Sequence, residues 1–323
     1  IWSVRPRQPA SGPTLYICRS TDKIRKVVHL SVHSGLSDRL QEQANKRYLR
    51  LSLRRDAMGI LGAIMVFGLV LLVLFGPTLA PYDPLKINFA DKLEGPSAKH
   101  WFGTDEIGRD MFSRVLHGAP ISLKAAVIVV TIATGLGVTL GTLAGFYGGW
   151  VDEVIMRTAD VFMAFPGLVL AMAVSAAVGA SLEAAIFAVS FVWWPIYTRL
   201  TRGQILKIRE EVFVEAARAI GLPSVRIMLR HILPSVLPVL LVRMTMDSGY
   251  AVLFTASLSF IGLGAQEPTP EWGRMVATGR AWIIDHGYYP AFPGLAIAYT
   301  VLAFSLLGDG IRDWLDPKDS SRR

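Results

Sequence analysis

Arg243 and Asp247, two charged residues four positions apart inside an apolar run, are the side chains here best placed to do chemistry. That spacing puts both on one face of a helix. Each would cost about 2.5–3.5 kcal/mol near the centre of a bilayer if it faced lipid unpaired. They must therefore pair with each other or line a wet cavity. The first reading is a structural ion pair, and the second is a charged wall along the path of a charged solute. Enzyme chemistry finds little else to use. No lysine is followed by Ser or Thr, so the phosphate-binding loop motif is absent. No histidine is followed by Glu, and there is no Gly-x-Ser-x-Gly, which removes the zinc-protease and nucleophile-elbow motifs. His231 and His286 are isolated, and the single cysteine, Cys18, excludes an intrachain disulfide framework or a cysteine-based metal site. The expectation is a chain with no catalytic residue, bound cofactor or metal of its own.

The elements that hold this pair are membrane spans. Hydrophobic residues make up 52% of the chain and charged residues 18%, against about 25% charged in ordinary soluble domains. The deficit is concentrated in long apolar runs, which must be helical in hydrocarbon because every backbone polar group needs an internal partner. Six runs are present, at about 57–80, 121–146, 161–180, 182–200, 233–263 and 291–307. The fold class expected is an all-α membrane protein with six transmembrane helices. Gly137, Gly141 and Gly145 suit close helix approach in the second run, and Pro166 and Pro195 should kink the third and fourth.

Orientation follows from the basic residues. Of 33 Lys and Arg, 12 lie before Ala57, seven between Arg199 and Arg230, and four after Gly310. With six spans these three segments share one side, which the positive-inside rule makes the cytoplasm. Both termini are then cytoplasmic. The basic groups flank apolar segments instead of forming a stripe, so no nucleic-acid partner is expected. The organisation is a cytoplasmic N-terminal tail at 1–56, a six-helix domain at 57–310 and a cytoplasmic C-terminal tail at 311–323. Residues 1–36 read as disordered or extraneous, and no cleavable signal peptide is evident. The domain includes outer loops at 81–119 and 266–290 and a cytoplasmic loop at 203–231. Within the first outer loop, Ile107, Met111, Phe112 and Val115 can form one face of a helix lying on the outer interface, with Arg109, Asp110 and Arg114 elsewhere.

The cytoplasmic loop is the most informative stretch. Val212, Phe213, Ala216, Ala217 and Ile220 recur at three- and four-residue spacing and predict a short helix with one apolar face. Gly221 stands where a helix C-terminus favours a left-handed residue, and Pro223 prevents continuation. Ser224 can cap a second helix over Val225–His231. A short helix with a small Ala-Ala patch suits docking into a groove on a partner protein.

Glu215-Ala216-Ala217, then Gly221, then His231-Ile232-Leu233-Pro234 resembles the "EAA" loop of permease subunits of bacterial ABC importers. That family often has Ile where this chain has His231. Trp101-Phe-Gly-Thr-Asp-Glu-Ile-Gly-Arg-Asp-Met-Phe-Ser-Arg114, Gly145-Phe-Tyr-Gly-Gly-Trp-Val-Asp152, Leu258-Ser-Phe-Ile-Gly-Leu-Gly-Ala265, Pro268-Thr-Pro-Glu-Trp-Gly273 and Gly308-Asp-Gly-Ile-Arg-Asp-Trp-Leu-Asp-Pro317 resemble, in order, segments of the dipeptide/oligopeptide/nickel permease group. The likeness is to the second permease of the pair. It implies a type I ABC importer permease fold in a bacterial inner membrane, with cytoplasmic coupling helices. The implied partners are a homologous second permease, two cytoplasmic ATPase subunits that bind the ATP, and an extracytoplasmic substrate-binding protein. The resemblance makes Phe213, Glu215, Ala216, Ala217, Ile220 and Gly221 the ATPase-coupling residues. It makes the loop of Glu271, Trp272 and Arg274 a docking site for the binding protein. Peptides are the cargo most often implied, with nickel or other small solutes as alternatives; an ion-coupled secondary transporter is the competing class. Arg243 and Asp247, uncharged in the family's usual pattern, would then meet the charged termini of a peptide or form a structural pair.

Overall fold

The computed structural model of the chain describes residues 57–315; the expected tail at 1–56 and residues 316–323 lie outside them. The elements are α1 (Ala57–Leu79), a 3-10 turn at Phe89–Asp91, α2 (Met111–Tyr147), α3 (Gly149–Met163), α4 (Gly167–Val178), α5 (Leu182–Ile208), α6 (Val212–Ala219), α7 (Ser224–Ile227), a π turn at Met228–Ile232, α8 (Leu233–Ile261), α9 (Trp272–Gly279) and α10 (Tyr288–Leu315). Among the described residues there is no named strand, only an isolated bridge between Thr104 and Asp110. The fold is all-α.

Among the described residues four helices are long and apolar enough to cross a membrane: α1, α2, the continuous Ser224–Ile261 rod and α10. A fifth span is obtained if α3 and α4, bent by 90° at their junction, count together. The run expected at 161–180 is therefore not one straight helix. Pro166 has no N–H to continue the ladder and pushes Phe165 out of helical geometry, so the chain turns between Met163 and Gly167. At 1.5 Å per residue, α4 alone reaches about 18 Å, short of a hydrocarbon core of about 30 Å. The run expected at 182–200 lies in α5, whose 27 residues give it the length, about 40 Å. Glu183, Trp193, Trp194, Arg199 and Arg202 dilute its hydrophobicity, and Pro195 is accommodated inside it. α10 runs on past the boundary expected at 310, to Leu315.

The helix expected on the outer interface around 101–116 is not a separate element. Asp110 is the N-cap of α2, its carboxylate accepting from Ser113 N, so Met111–Leu116 forms the first turns of the span itself. Met111 and Val115 are buried there. Arg109 and Arg114 are buried too, with side chains 3% and 1% exposed, because their partners come from far along the chain. Arg109 Nη1 donates to Glu267 Oε2 at 2.8 Å, Arg114 Nη2 lies 3.5 Å from the same oxygen, and Asp105 pairs with the Arg109 Nε. Burial works against the Arg109 charge, but Asp105 and Glu267 hold its guanidinium above its ordinary range. Phe102 stacks on Phe292 at 3.9 Å, and Tyr288 Oη donates to Thr104 O at 3.2 Å. The loops 81–119 and 266–290 thus form one cap against the start of α10.

The core is a seam of α2, α5 and α8. Gly141 and Gly145 of α2 face α5 so closely that added Cβ atoms would lie 2.8 Å from Thr201 Cβ and 3.0 Å from Ile205 Cβ; Gly137 meets Tyr197 in the same way. The glycine stripe serves packing within this chain. At the end of the bundle away from the cap, Arg202 grips Asp152 of α3 through Nε and Nη2, at 2.5 and 2.6 Å. Arg199 pairs with Asp160, and Arg209 Nη1 donates to Gly145 O at 3.2 Å.

Candidate functional site

The loop expected to start at 203 starts only after α5, which runs on to Ile208; residues 209–231 close the end of the bundle where α2 and α5 finish. The local signals act as expected on α6. Gly221, at φ 78°, ends it in a left-handed turn: Leu222 N donates to Ala217 O at 3.2 Å and Gly221 N to Arg218 O at 2.9 Å, the hydrogen-bond pair of a Schellman cap. A Cβ on Gly221 would meet nothing within 4 Å, so the glycine is needed for its backbone and not for space.

The next helix differs from expectation. Ser224 makes no side-chain cap and is the first helical residue; Pro223 stands at the cap position. The helix does not stop at His231 but passes through the π turn at Met228–Ile232 into α8. Pro234 supplies the reason, since it has no N–H for the carbonyl one turn back, and a π turn is one way to reroute the ladder. The loop is thereby continuous with the span that carries Arg243 and Asp247.

The faces of α6 also separate differently from the single stripe expected. Val214 and Ala217 are buried, and with Ile227 and Ile232 they join the core cluster that includes Ile205 of α5 and Val236 of α8. Ala217 therefore faces its own chain. Phe213, Glu215, Ala216 and Ile220 point outward, beside Val212, Val225 and Leu229. Val212 is 79% exposed and Ile220 76%. Inner and outer faces only three residues apart make these helices a stiff bridge between the feet of α5 and α8 and whatever covers the outer patch.

Arg243 and Asp247 form a direct pair, Nε to Oδ2 at 2.8 Å. Their environments are unequal: the Arg243 side chain is 42% exposed and that of Asp247 5%. The buried Tyr197 hydroxyl lies beside Asp247 and Thr134 with no well-formed hydrogen bond. A buried carboxylate thus holds a half-exposed guanidinium whose Nη1 and Nη2 have no hydrogen-bond partner among the described residues.

The outer docking expectation requires correction for two of its three residues. Glu271 and Trp272 are 1% and 0% exposed. Glu271 caps α9, accepting from Gly273 N at 2.9 Å and Arg274 N at 2.8 Å, and burial pushes its carboxyl above the ordinary range against those bonds. Trp272 Nε1 donates to Val115 O at 3.0 Å. Neither side chain is open to a partner. Arg274, 24% exposed and 3.8 Å from Glu267, belongs to the rim of the cap. The open apolar surface of this loop is Ile283 and Ile284, which sequence reading did not single out.

Residues 137–320 match the family model described as binding-protein-dependent transport system inner membrane component. Residues 47–96 match the model for the N-terminal TM domain of oligopeptide transport permease C. The chain is 44% identical over 290 residues to the probable D,D-dipeptide transport system permease protein DdpC of Escherichia coli (strain K12), covering 90% of this chain and 97% of that protein. It is 43% identical to the dipeptide transport system permease protein DppC of Alkalihalophilus pseudofirmus, over 83% of this chain and 88% of that one. With the glutathione transport system permease protein GsiD of Escherichia coli O157:H7 it shares 48% identity, over 82% and 88% respectively. Among solved structures, a chain of the inward-facing MetNI methionine ABC transporter matches with TM-score 0.53 and 19% identity, covering 64% of this chain and 98% of that one. At that identity the likeness concerns the fold alone.

Proposed function

The chain belongs to the family of binding-protein-dependent transport system inner membrane components, and from that membership we propose that it is the permease half of an ATP-driven importer of short peptides. The observation that carries this reading is the two-faced loop: Val214, Ala217, Ile227 and Ile232 anchored in the core, with Phe213, Ala216 and Ile220 left open. An amphipathic helix with its anchors satisfied and its outer face bare fits a groove on a partner. The partner proposed is a cytoplasmic ATPase subunit, one of two, which binds and hydrolyses the ATP. Glu215 and Gly221 complete the docking element. A homologous second permease supplies the other half of the path, and a substrate-binding protein docks on the cap around Arg274, Ile283 and Ile284. Both termini are cytoplasmic in this arrangement, as the basic flanks favour.

Peptide cargo is supported by the names of the relatives and by the chemistry of the pair. Arg243 keeps donors free on the open side of α8, suited to a peptide carboxylate, while Asp247 holds it in place. Neutralising both, Arg243→Gln with Asp247→Asn, is expected to leave the chain in the membrane and to weaken uptake of free peptides relative to carboxyl-amidated ones. Unchanged uptake and unchanged preference would reduce the pair to a structural contact.

The assembly is tested by a mild-detergent pull-down of the tagged chain from its native membranes, with mass spectrometry and an ATPase assay. A second permease, ATPase subunits and hydrolysis stimulated by a binding protein are the expected result. Recovery of the chain alone, even after crosslinking, would refute the coupling role and turn attention to ion-coupled transport through Arg243 and Asp247.

A further inference from the structure

The cap holds a buried imidazole to which the proposed function assigns no role. His100 is 4% exposed, and its Nδ1 lies 2.8 Å from Asp110 Oδ1. The other Asp110 oxygen accepts from Ser113 N as the cap of α2, at 2.7 Å. An ionised carboxylate can only accept, so the Nδ1 carries the hydrogen and the Nε2 of the neutral ring presents a lone pair. That Nε2 is buried without a hydrogen-bond partner and stands 3.5 Å from Asp91 Oδ2. A lone pair facing an anion is unfavourable unless a proton or a metal cation comes between them. Glu94, exposed, completes the group: one donor atom each from Asp91, Glu94 and His100 lie within 4.8 Å of one another.

From this geometry we propose that Asp91, Glu94 and His100 form a binding site for a divalent cation of the zinc type, with Asp110 as the outer carboxylate that orients the histidine. Donor atoms about 2.0–2.2 Å from a tetrahedral metal are separated by about 3.4 Å, close to the 3.5 Å already present between His100 and Asp91. Glu94 has the freedom to close the third position, and water takes the fourth. The imidazole selects against magnesium and calcium, which favour all-oxygen ligand sets. Asp91 is at present shared with Asn88, at 2.6 Å, and with the Lys99 ammonium, at 2.7 Å. The Lys99 side chain is 55% exposed and free to leave, so it is the metal's competitor. The site staples the 3-10 turn at Phe89–Asp91 to the N-terminus of α2 and would rigidify the cap. Sequence reading expected no metal because the three residues match no ligand-spacing motif.

The test uses the full chain in lipid nanodiscs, equilibrium dialysis against Zn2+, and Co2+ as a spectroscopic probe of coordination. One Zn2+ per chain is expected. Loss of even an outer partner of a metal ligand weakens binding by about 10–100-fold, so Glu94→Gln, at an exposed position that leaves the fold intact, should weaken it at least that much. His100→Gln should abolish binding and the Co2+ spectrum. Lys99→Gln should tighten binding, because the competing cation is gone. Absence of stoichiometric Zn2+ on the wild type, binding that survives Glu94→Gln and His100→Gln, or weaker binding in Lys99→Gln each overturns the proposal.

Discussion

Gly221→Val is expected to leave the chain inserted and folded while uptake falls about tenfold or more. Gly221 sits at φ 78°, a region that costs an ordinary L-residue roughly 1–2 kcal/mol and a β-branched one more. An added Cβ would meet nothing within 4 Å, so no clash at that atom transmits the change to the core of the bundle. The cost falls on the two hydrogen bonds that close α6, Leu222 N to Ala217 O and Gly221 N to Arg218 O. Without that closure, Ala216 and Ile220 no longer share a fixed face with Phe213. A conformational cost of 1.4 kcal/mol is a factor of about ten in the competent population. The control is Gly221→Asn, which tolerates the left-handed region and should retain most of the activity. Uptake of labelled dipeptide by reconstituted vesicles, set against the amount of chain in the membrane, measures both. Normal uptake by the valine variant contradicts the docking role; disappearance of the chain from the membrane makes Gly221 a folding residue instead.

Gly141→Leu should have the larger effect on stability. A Cβ at this position would lie 2.5 Å from Thr198 O and 2.8 Å from Thr201 Cβ, so α5 must move away along its whole contact with α2. Overpacking of ordinary cores costs about 1–3 kcal/mol, and here part of the clash is with backbone, which cannot rotate aside. Separation of α2 and α5 would also strain the Arg209–Gly145 bond at the root of the loop that carries α6. The variant is expected to unfold at markedly lower temperature in detergent and to lose its monodisperse elution. Gly135→Leu in the same helix, where a Cβ meets nothing within 4 Å, should be close to neutral or stabilising. Equal behaviour of the two variants would mean that the glycine stripe does not hold the bundle together.

Much of this could be read from residues close together in the chain. The Gly221 stop was legible because a helix C-cap is built within six residues. The break at Pro166 was legible in kind, though not its 90° angle. The face of α6 was not: Val212, Phe213, Ala216 and Ile220 form one apolar set and Val214 with Ala217 another. Which set turns inward depends on Ile205, Ile227, Ile232 and Val236 waiting there. Glu271 and Trp272 misled because an acidic residue and a tryptophan beside a membrane look the same whether they meet a partner or their own chain. The Trp272 acceptor, Val115 O, lies 157 positions away.

By itself the sequence determined that this chain enters a bilayer as helices, where its apolar runs lie, which flanks are basic, and where the loop after α5 turns. These follow from backbone hydrogen bonding without water and from local stereochemistry. The tertiary structure alone decided that Arg109 and Arg114 are buried on Glu267 and that Asp247 is covered while Arg243 stays half open. It also decided that His100 faces Asp91 with an unused nitrogen. The physical reason is the same in each case: whether a polar group is solvated, paired or stranded depends on atoms brought beside it by the fold.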